Sequence, residues 1–306
     1  MYGRLTMHKL EVFCRVKELG SLTRAAETLY IAQPAVSAHL KSLDEIFGVK
    51  LFRRRGRGLV LTPSGERVYA WASETMTRAH ELERELEGFR DGAAGTCVVA
   101  ASMTAGSYAL PSIVTEFRRD HPNALVRVNI SNPDGAMDAV RAGACDFGVV
   151  IVDPRHPTEG LQLEKLCDEE LVLIGNADHR ERFGAFVRPA DLKAIPFVTS
   201  PRGVVRRDTE DLQLRALGVE RETIEAELGH PEAMKRAVAD GLGLAFLLRS
   251  SVESELAAGT LCQINVLDFE MTVPAFLVHR VAKQLSPVQE AFADAVRHHF
   301  VNHVGT

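Results

Sequence analysis

Ser21-Leu22-Thr23-Arg24-Ala25-Ala26-Glu27-Thr28-Leu29, then Tyr30-Ile31-Ala32, then Gln33-Pro34-Ala35-Val36-Ser37-Ala38-His39-Leu40-Lys41-Ser42-Leu43, is the stretch that decides the fold. Ser21 is a helix cap, because its short oxygen can accept from a first-turn N–H that has no other partner. The small Ala25 and Ala26 let another helix come close. Residues 30–32 make a turn. Pro34 marks the first turn of a new helix beginning near Gln33, where a missing N–H costs nothing. On that helix Val36, Leu40 and Leu43 repeat at spacings of four and three, the stripe of a buried face. Pro34, Ser37, Ala38 and Lys41 occupy the opposite, polar face. An earlier helix over 8–18 carries Leu10, Phe13, Cys14 and Val16 and stops before Gly20. A helix, a short turn and a second helix with a polar outer face form the helix-turn-helix pattern.

Outward from this stretch, residues 49–61 set Val49, Leu51, Phe52, Leu59, Val60 and Leu61 around Arg53-Arg54-Arg55-Gly56-Arg57-Gly58. This reads as a two-stranded ribbon with a basic glycine tip, a wing whose arginines can bond phosphates in pairs. Thr62 caps a long helix and Pro63 opens it. Along that helix Val68, Ala72, Thr75, Ala79, Leu82, Leu86 and Phe89 alternate spacings of four and three, a heptad seam expected to pair with a second copy, the alternative being a helix packed on its own body. About 28 residues of helix reach roughly 40 Å, enough to hold two heads apart. Gly92-Ala93-Ala94-Gly95 is a linker. Residues 1–62 hold 11 lysines and arginines against 5 acids, a net of +6. The whole chain carries −5, which leaves −11 for the rest. A basic head on an acidic body points to an anionic partner, nucleic acid or a membrane surface.

Beyond Thr96, apolar runs alternate with helical ones. Strands are predicted at 97–101, 125–130, 147–152, 171–174, 197–199, 224–228, 244–248, 264–266 and 273–278. Helices are predicted over 108–119 and 135–141, with a last one opened by Ser286-Pro287. Such alternation means an α/β body with a largely parallel sheet. With 306 residues, 46% hydrophobic and 25% charged, the chain has material for two domains and is not a disordered polypeptide. No apolar run nears the roughly 18 residues of a membrane span. The opening residues lack the pattern of a secretory signal, so a cytoplasmic protein is expected rather than an exported binding protein. The five cysteines (Cys14, Cys97, Cys145, Cys167, Cys262) are scattered without a Cys-x-x-Cys, which indicates neither a zinc knuckle nor a disulfide framework. There is no Gly-x-Ser-x-Gly elbow, no Gly-x-x-x-x-Gly-Lys loop and no His-Glu-x-x-His, so no enzyme is expected. Asp134, Asp153 and His156 are read as solvated loop residues.

The segments 21–29 and 33–37, with Leu43-Asp44, 48–54 and Leu61-Thr62-Pro63-Ser64-Gly65, resemble the LysR family of bacterial transcriptional regulators. The likeness spans the chain and continues in Ala109-Leu110-Pro111 and 239–244. The family pattern begins at Met7, so residues 1–6 are an extension or Met7 is the start. The resemblance implies an N-terminal winged helix-turn-helix domain over 1–65 and a linker helix over 66–92 that pairs two copies through Val68, Ala72, Ala79, Leu82, Leu86 and Phe89. It implies an effector domain over 93–306 similar to periplasmic binding proteins. Lobe I would be 93–166 with 270–306 and lobe II 167–269, with crossovers near 164–168 and 266–272. Its partners are then promoter DNA, a small effector, further copies making a tetramer and, for an activator, RNA polymerase.

Residue by residue, the resemblance makes Gln33 the base reader, since its amide can pair with adenine in the major groove. Pro34 and Ala35 give apolar contact to bases. Ser37 and Lys41 hold phosphates, Thr23 and Arg24 clamp the backbone on one side, and Arg53, Arg54 and Arg55 do so from the wing. Relatives carry serine at the position of Ala32 and arginine at that of Ala38, so either His39 shares the lost contact or the recognised sequence differs. The effector cleft would be lined by Ser102, Met103, Thr104, Asn132, Pro133, Ile151, Val152, Ser200, Pro201, Arg202, Gly203 and His230. Free N–H groups near Ser102 and Thr104, with Arg202, Arg206 and Arg207, suggest an anionic metabolite; no other cofactor is expected. Relatives that sense peroxide carry cysteines beside the loop 200–208, where this chain has none.

Overall fold

The computed structural model describes residues 5–55, 58–90, 95–152, 158–281 and 283–303. The wing tip Gly56-Arg57, the linker residues 92–94 and the loop residues Asp153 and His156 lie outside the described residues, as do the side chains of Arg55 and Phe89. The chain divides into two compact units, residues 1–87 with 142–144 and the remainder.

The first unit is built from α1 (Met7–Leu19), α2 (Leu22–Thr28), α3 (Gln33–Phe47), β1 (Phe52–Arg55), β2 (Gly58–Leu61) and α4 (Pro63–Arg90). Thr6 caps α1 and Ser21 caps α2, each accepting from a first-turn amide at 3.3 Å. Gly20 and Gly48 end α1 and α3 in the left-handed region that a side chain would resist. Val12, Val16, Ala25, Ala26 and Val36 form one buried cluster, as the spacing predicted for α2 and α3. Phe13, Leu43 and Leu51 form a second, into which α4 inserts Ala72. The strands pair antiparallel with Arg53 opposite Val60 and Arg54 opposite Leu59, so the wing is present.

The second unit runs β3 (Gly95–Ser102), α5 (Leu110–Asp120), β4 (Ala124–Ser131), α6 (Pro133–Arg141), β5 (Phe147–Ile151), β6 (Leu161–Gly175), α7 (Ala177–Phe183), β7 (Phe186–Val187), β8 (Phe197–Thr199), α8 (Val205–Ala216), β9 (Ile224–Glu227), α9 (Pro231–Ala239), β10 (Ala245–Leu248), α10 (Glu253–Ala258), β11 (Cys262–Gln263), β12 (Asn265–Val266), β13 (Met271–Arg280) and α11 (Pro287–His303). Alternate residues of β3 face opposite ways. Cys97, Val99 and Ala101 meet Ile113 and Phe117 of α5 and Phe292 and Val296 of α11, while Val98 and Ala100 meet Met137 and Val140 of α6. A separate cluster of Val172, Ile174, Met234, Val238 and Leu247 packs α9 on lobe II.

The main sheet has the order β10-β6-β13-β5-β3-β4. It is parallel from β4 through β3 to β5. From β5 through β13 and β6 to β10 it is antiparallel, so the main sheet is parallel only in part of lobe I, while the separate lobe II pairs β8–β9 and β7–β12 are parallel. The two crossovers are β6 and β13, paired over ten residues from Met271↔Leu171 to Arg280↔Leu161. The second crossover therefore begins at Met271, not at 266: residues 265–266 pair with β7 instead, and Asp268 turns the chain at φ +55.

Candidate functional site

Two places gather the residues singled out above. On the first unit, Gln33, Pro34, Ser37 and Lys41 are exposed, and Ala35 is partly so. Gln33, Ser37 and Lys41 recur every fourth residue and so share one face of α3. Ala32 offers no side-chain cap to α3; its backbone carbonyl accepts from the Ala35 amide at 2.9 Å and the Val36 amide at 3.3 Å. Thr23 and Arg24 are exposed in the first turn of α2, and Arg53 and Arg54 are exposed on the wing. Nothing in this constellation is aimed at a core; its donors point at solvent. His39 departs from its expected role. Its ring packs edge-on against His8 of α1 at 5.1 Å, and burial, with the electrostatic influence of His8 and Lys9, lowers its pKa. A neutral ring held on α1 does not replace an arginine.

Along α4 the heptad seam is divided. Val68 and Ala72 belong to the head's own core beside Phe13 and Leu51. They are therefore not part of a pairing surface, which the periodicity alone had suggested. Further along, Leu82 and Leu86 are 56% and 53% exposed, with Ala79 partly so. Two leucines held in water on successive turns are the unpartnered end of the seam.

Between the lobes of the second unit lies a cavity of about 190 Å³. Ser102, Met103, Thr104, Asn132, Pro133, Ile151, Ser200 and Gly203 line it, as expected, with Val152, Val204 and Arg206. Four helix starts open onto it, at 102–104, 132–134, 203–206 and 229–231. Such starts present unpaired N–H groups and a partial positive charge. Asn132 caps α6 at 2.7 Å, whereas Thr104 and Val204 make no side-chain capping bond. Ser102 accepts from the Ile151 amide at 3.0 Å, which ties β3 to β5 and leaves its own proton to donate. Arg206 is held in place by Ser200 Oγ and by the Phe246 carbonyl at 3.2 Å.

Three expected residues do not reach this cavity. Gly203 reverses the chain at φ +82, and Arg202 lines a separate depression with Arg215 and Arg221. Pro201 stays outside with it. His230 turns back to cap α9, its Nδ1 accepting from the Glu232 amide at 3.2 Å. Arg207 is equally diverted, buried and bound to Thr199 Oγ1 and Asp211 at 2.7 Å each. The sequence reading misses Thr209, Gly229, Pro231, Leu248 and Val273, which line the cavity, and it reads as a solvated loop residue Asp134, which lines the cavity too, from the first turn of α6. Thr209 follows Arg206 at helical spacing and could have been found; Leu248 and Val273 arrive through strand order, which no local pattern carries.

Burial drives the Cys14 and Cys167 thiols up to about 12 and raises those of Cys97 and Cys262. Thiols of that kind stay protonated and unreactive. Among the described residues no group of His, Cys, Asp and Glu could hold a metal ion, and no helix is long and apolar enough to cross a membrane.

Residues 7–66 match the family model described as a bacterial regulatory helix-turn-helix protein of the lysR family, and residues 90–301 match that of the LysR substrate binding domain. The chain is 33% identical over 290 residues to the HTH-type transcriptional regulator YeiE of Escherichia coli, covering 95% of this chain and 96% of that one. It is 29% identical over 294 residues to the RuBisCO operon transcriptional regulator of Allochromatium vinosum, covering 95% of each. The fold is shared with full-length CbnR crystallised with its target DNA, at a TM-score of 0.59, 22% identity and coverage of 96% and 100%. ArgP from Mycobacterium tuberculosis gives a TM-score of 0.63 at 21% identity, covering 95% and 96%.

Proposed function

From the premise that this chain belongs to the LysR family of bacterial transcriptional regulators, and is a DNA-binding regulator with a substrate-binding domain, we propose that its effector is a small anion held in the interlobe cavity. The observation that carries this is the meeting of four helix starts and Arg206 at one cavity. Its 190 Å³ falls below the roughly 300–1,000 Å³ of pockets for drug-sized ligands, which favours an oxyanion or a short carboxylate over a nucleotide. The reading assigns no reaction to the body: Ser102 and Ser200 are bonded to a backbone amide and to Arg206, not to a general base. On this reading the protein works in the cytoplasm as a tetramer, with RNA polymerase as a further partner if it is an activator. The anion shifts DNA binding by favouring one arrangement of the lobes, since a ligand acts only through its differential affinity.

Phosphate, sulfate and two- to four-carbon carboxylates, screened by thermal shift on the full chain, test the cavity. A ligand at 100 times its Kd stabilises by about 2.7 kcal/mol. Arg206→Met is expected to abolish the shift and Arg202→Met to leave it intact. Equal shifts in both variants would place the anion elsewhere.

On DNA, Gln33→Ala is expected to lose about 1–3 kcal/mol on the cognate site and to relax specificity there. Arg54→Ala should weaken cognate and random DNA alike, with a shallower salt dependence. Titrations at two salt concentrations separate the two roles, and equal losses for Gln33→Ala on both DNAs would remove it as a base reader. Replacing both Leu82 and Leu86 by glutamate is expected to lower the oligomeric state seen by analytical ultracentrifugation, while Val68→Ala should alter melting of the head instead.

A further inference from the structure

Tyr108 lies in lobe I, in the π-helical turn Ala105–Ala109 that leads into α5. Its hydroxyl donates to Glu232 Oε1, on α9 of lobe II. Its ring also sits against the Lys235 ammonium, 5.0 Å from the centroid. Both contacts cross from one lobe to the other, beside Thr104 and Pro231 of the cavity wall.

The lobe II side of this contact is built in advance. Lys235 is almost wholly buried and spends its three protons on the Ser251 carbonyl at 2.9 Å, Glu255 at 2.7 Å and Glu232 at 2.6 Å. All three partners belong to lobe II, so the ammonium fixes the Glu232 carboxylate whether or not lobe I is near. Burial works to raise the pKa of Glu232, but its bonds with Lys235 and Tyr108 leave it lowered, so it stays ionised. Burial and the Glu232 bond push the Tyr108 phenol up to about 12, so it stays a donor. A neutral donor meeting a fixed carboxylate makes a charge-assisted hydrogen bond.

We infer that Tyr108 and Glu232 form a latch between the lobes, with Tyr108 as the removable part and the Glu232–Lys235–Glu255 group as its preformed catch. The two side chains are positioning residues: they touch from one lobe to the other and set how often the lobes part. The latch's bearing on ligand access rests on the cavity being the effector site proposed above, but its existence does not. Closing the mouth raises the share of chains competent to hold a ligand and slows the ligand's release.

Hydrogen–deuterium exchange on the full chain, in chloride buffer free of oxyanions, tests the latch without any effector. Tyr108→Phe keeps the ring and removes the hydroxyl; Glu232→Ala removes the acceptor. Each variant is expected to exchange roughly ten- to 150-fold faster in peptides over both 103–110 and 231–239, the range for losing one charge-assisted bond. The double variant should be no faster than the faster single one, because both changes break the same contact. Protection in β6 and β13 should not change. Acceleration confined to 103–110, general acceleration that includes β6 and β13, additive effects or wild-type exchange would each overturn the latch. Adding phosphate or a small carboxylate that binds the parent chain should restore protection in Tyr108→Phe at a higher concentration. Failure of every anion to bind would remove the effector proposal and leave the exchange result standing.

Discussion

Gly65→Ala is expected to destabilise the DNA-binding head by about 3 kcal/mol, at the upper end for overpacking, and to abolish specific DNA binding with it. Gly65 sits in the first turn of α4, and a Cβ there would stand 2.1 Å from the Leu51 carbonyl oxygen and 3.0 Å from Leu61 Cδ2. The carbonyl cannot retreat cheaply. It accepts from the Thr62 amide at 2.9 Å, while the Leu51 amide donates to Asp44 Oδ1 at 2.9 Å. Thr62 Oγ1 in turn donates to the Lys50 carbonyl at 2.7 Å and accepts from the Gly65 amide at 3.0 Å. One added methyl therefore strains the junction that sets α4 and the wing on α3. Melting of the head should fall by roughly 10 °C or more. A wild-type melting temperature would show that the junction can yield.

Arg221→Leu is expected to cost the effector domain about 3–5 kcal/mol. The Arg221 side chain is 1% exposed and pairs with Glu210, also 1% exposed, at 2.9 Å, and with Asp211. Its guanidinium lies 5.4 Å over the Phe197 ring. Removing it leaves the buried Glu210 carboxylate only the longer contact with Arg206, at 3.8 Å, which is costlier than replacing the whole pair by apolar groups. Chemical denaturation at neutral pH measures the loss; a change under 1 kcal/mol would mean that water reaches Glu210. The same network sets an acid limit. Burial works to raise the pKa of Asp211, but hydrogen bonds from Arg221 and Arg207 outweigh it and leave it lowered. A depressed carboxyl stabilises fully above its unfolded pKa of about 3.9, and that contribution is lost as pH falls through the lower folded value. Stability in Arg221→Leu should accordingly depend less on pH below about pH 4 than in the parent chain.

The head was legible because its signals are local. Ser21, Gly20, Pro34 and the Val36–Leu43 stripe act within a few residues, and each lies where the pattern put it. The seam on α4 shows the limit of periodicity. Val68 and Ala72 obey the same spacing as Leu82 and Leu86, yet they are taken by a core assembled from α1, α3 and the wing. In the body, residues at or directly after a strand end could be placed at the cavity, as with Ser102 and Asn132. Pro201, Arg202 and His230 could not, since one left-handed glycine and one capping bond decide which way those side chains leave the chain. The latch was invisible for a different reason: Tyr108 and Glu232 are 124 residues apart, and neither belongs to a motif.

The place of β13 in the sheet has a consequence for biosynthesis. Among the described residues it is the last strand to leave the ribosome, yet it lies between β5 and β6, hydrogen-bonded on both sides. Until residue 280 is made, those two strands present open edges facing a gap, a template for pairing with other chains. The head closes its core with residues near in sequence and can fold early, whereas lobe I waits for the end of translation. A nascent chain stalled before Met271 would thus carry a working DNA reader on a body that cannot close, and would be a substrate for chaperones.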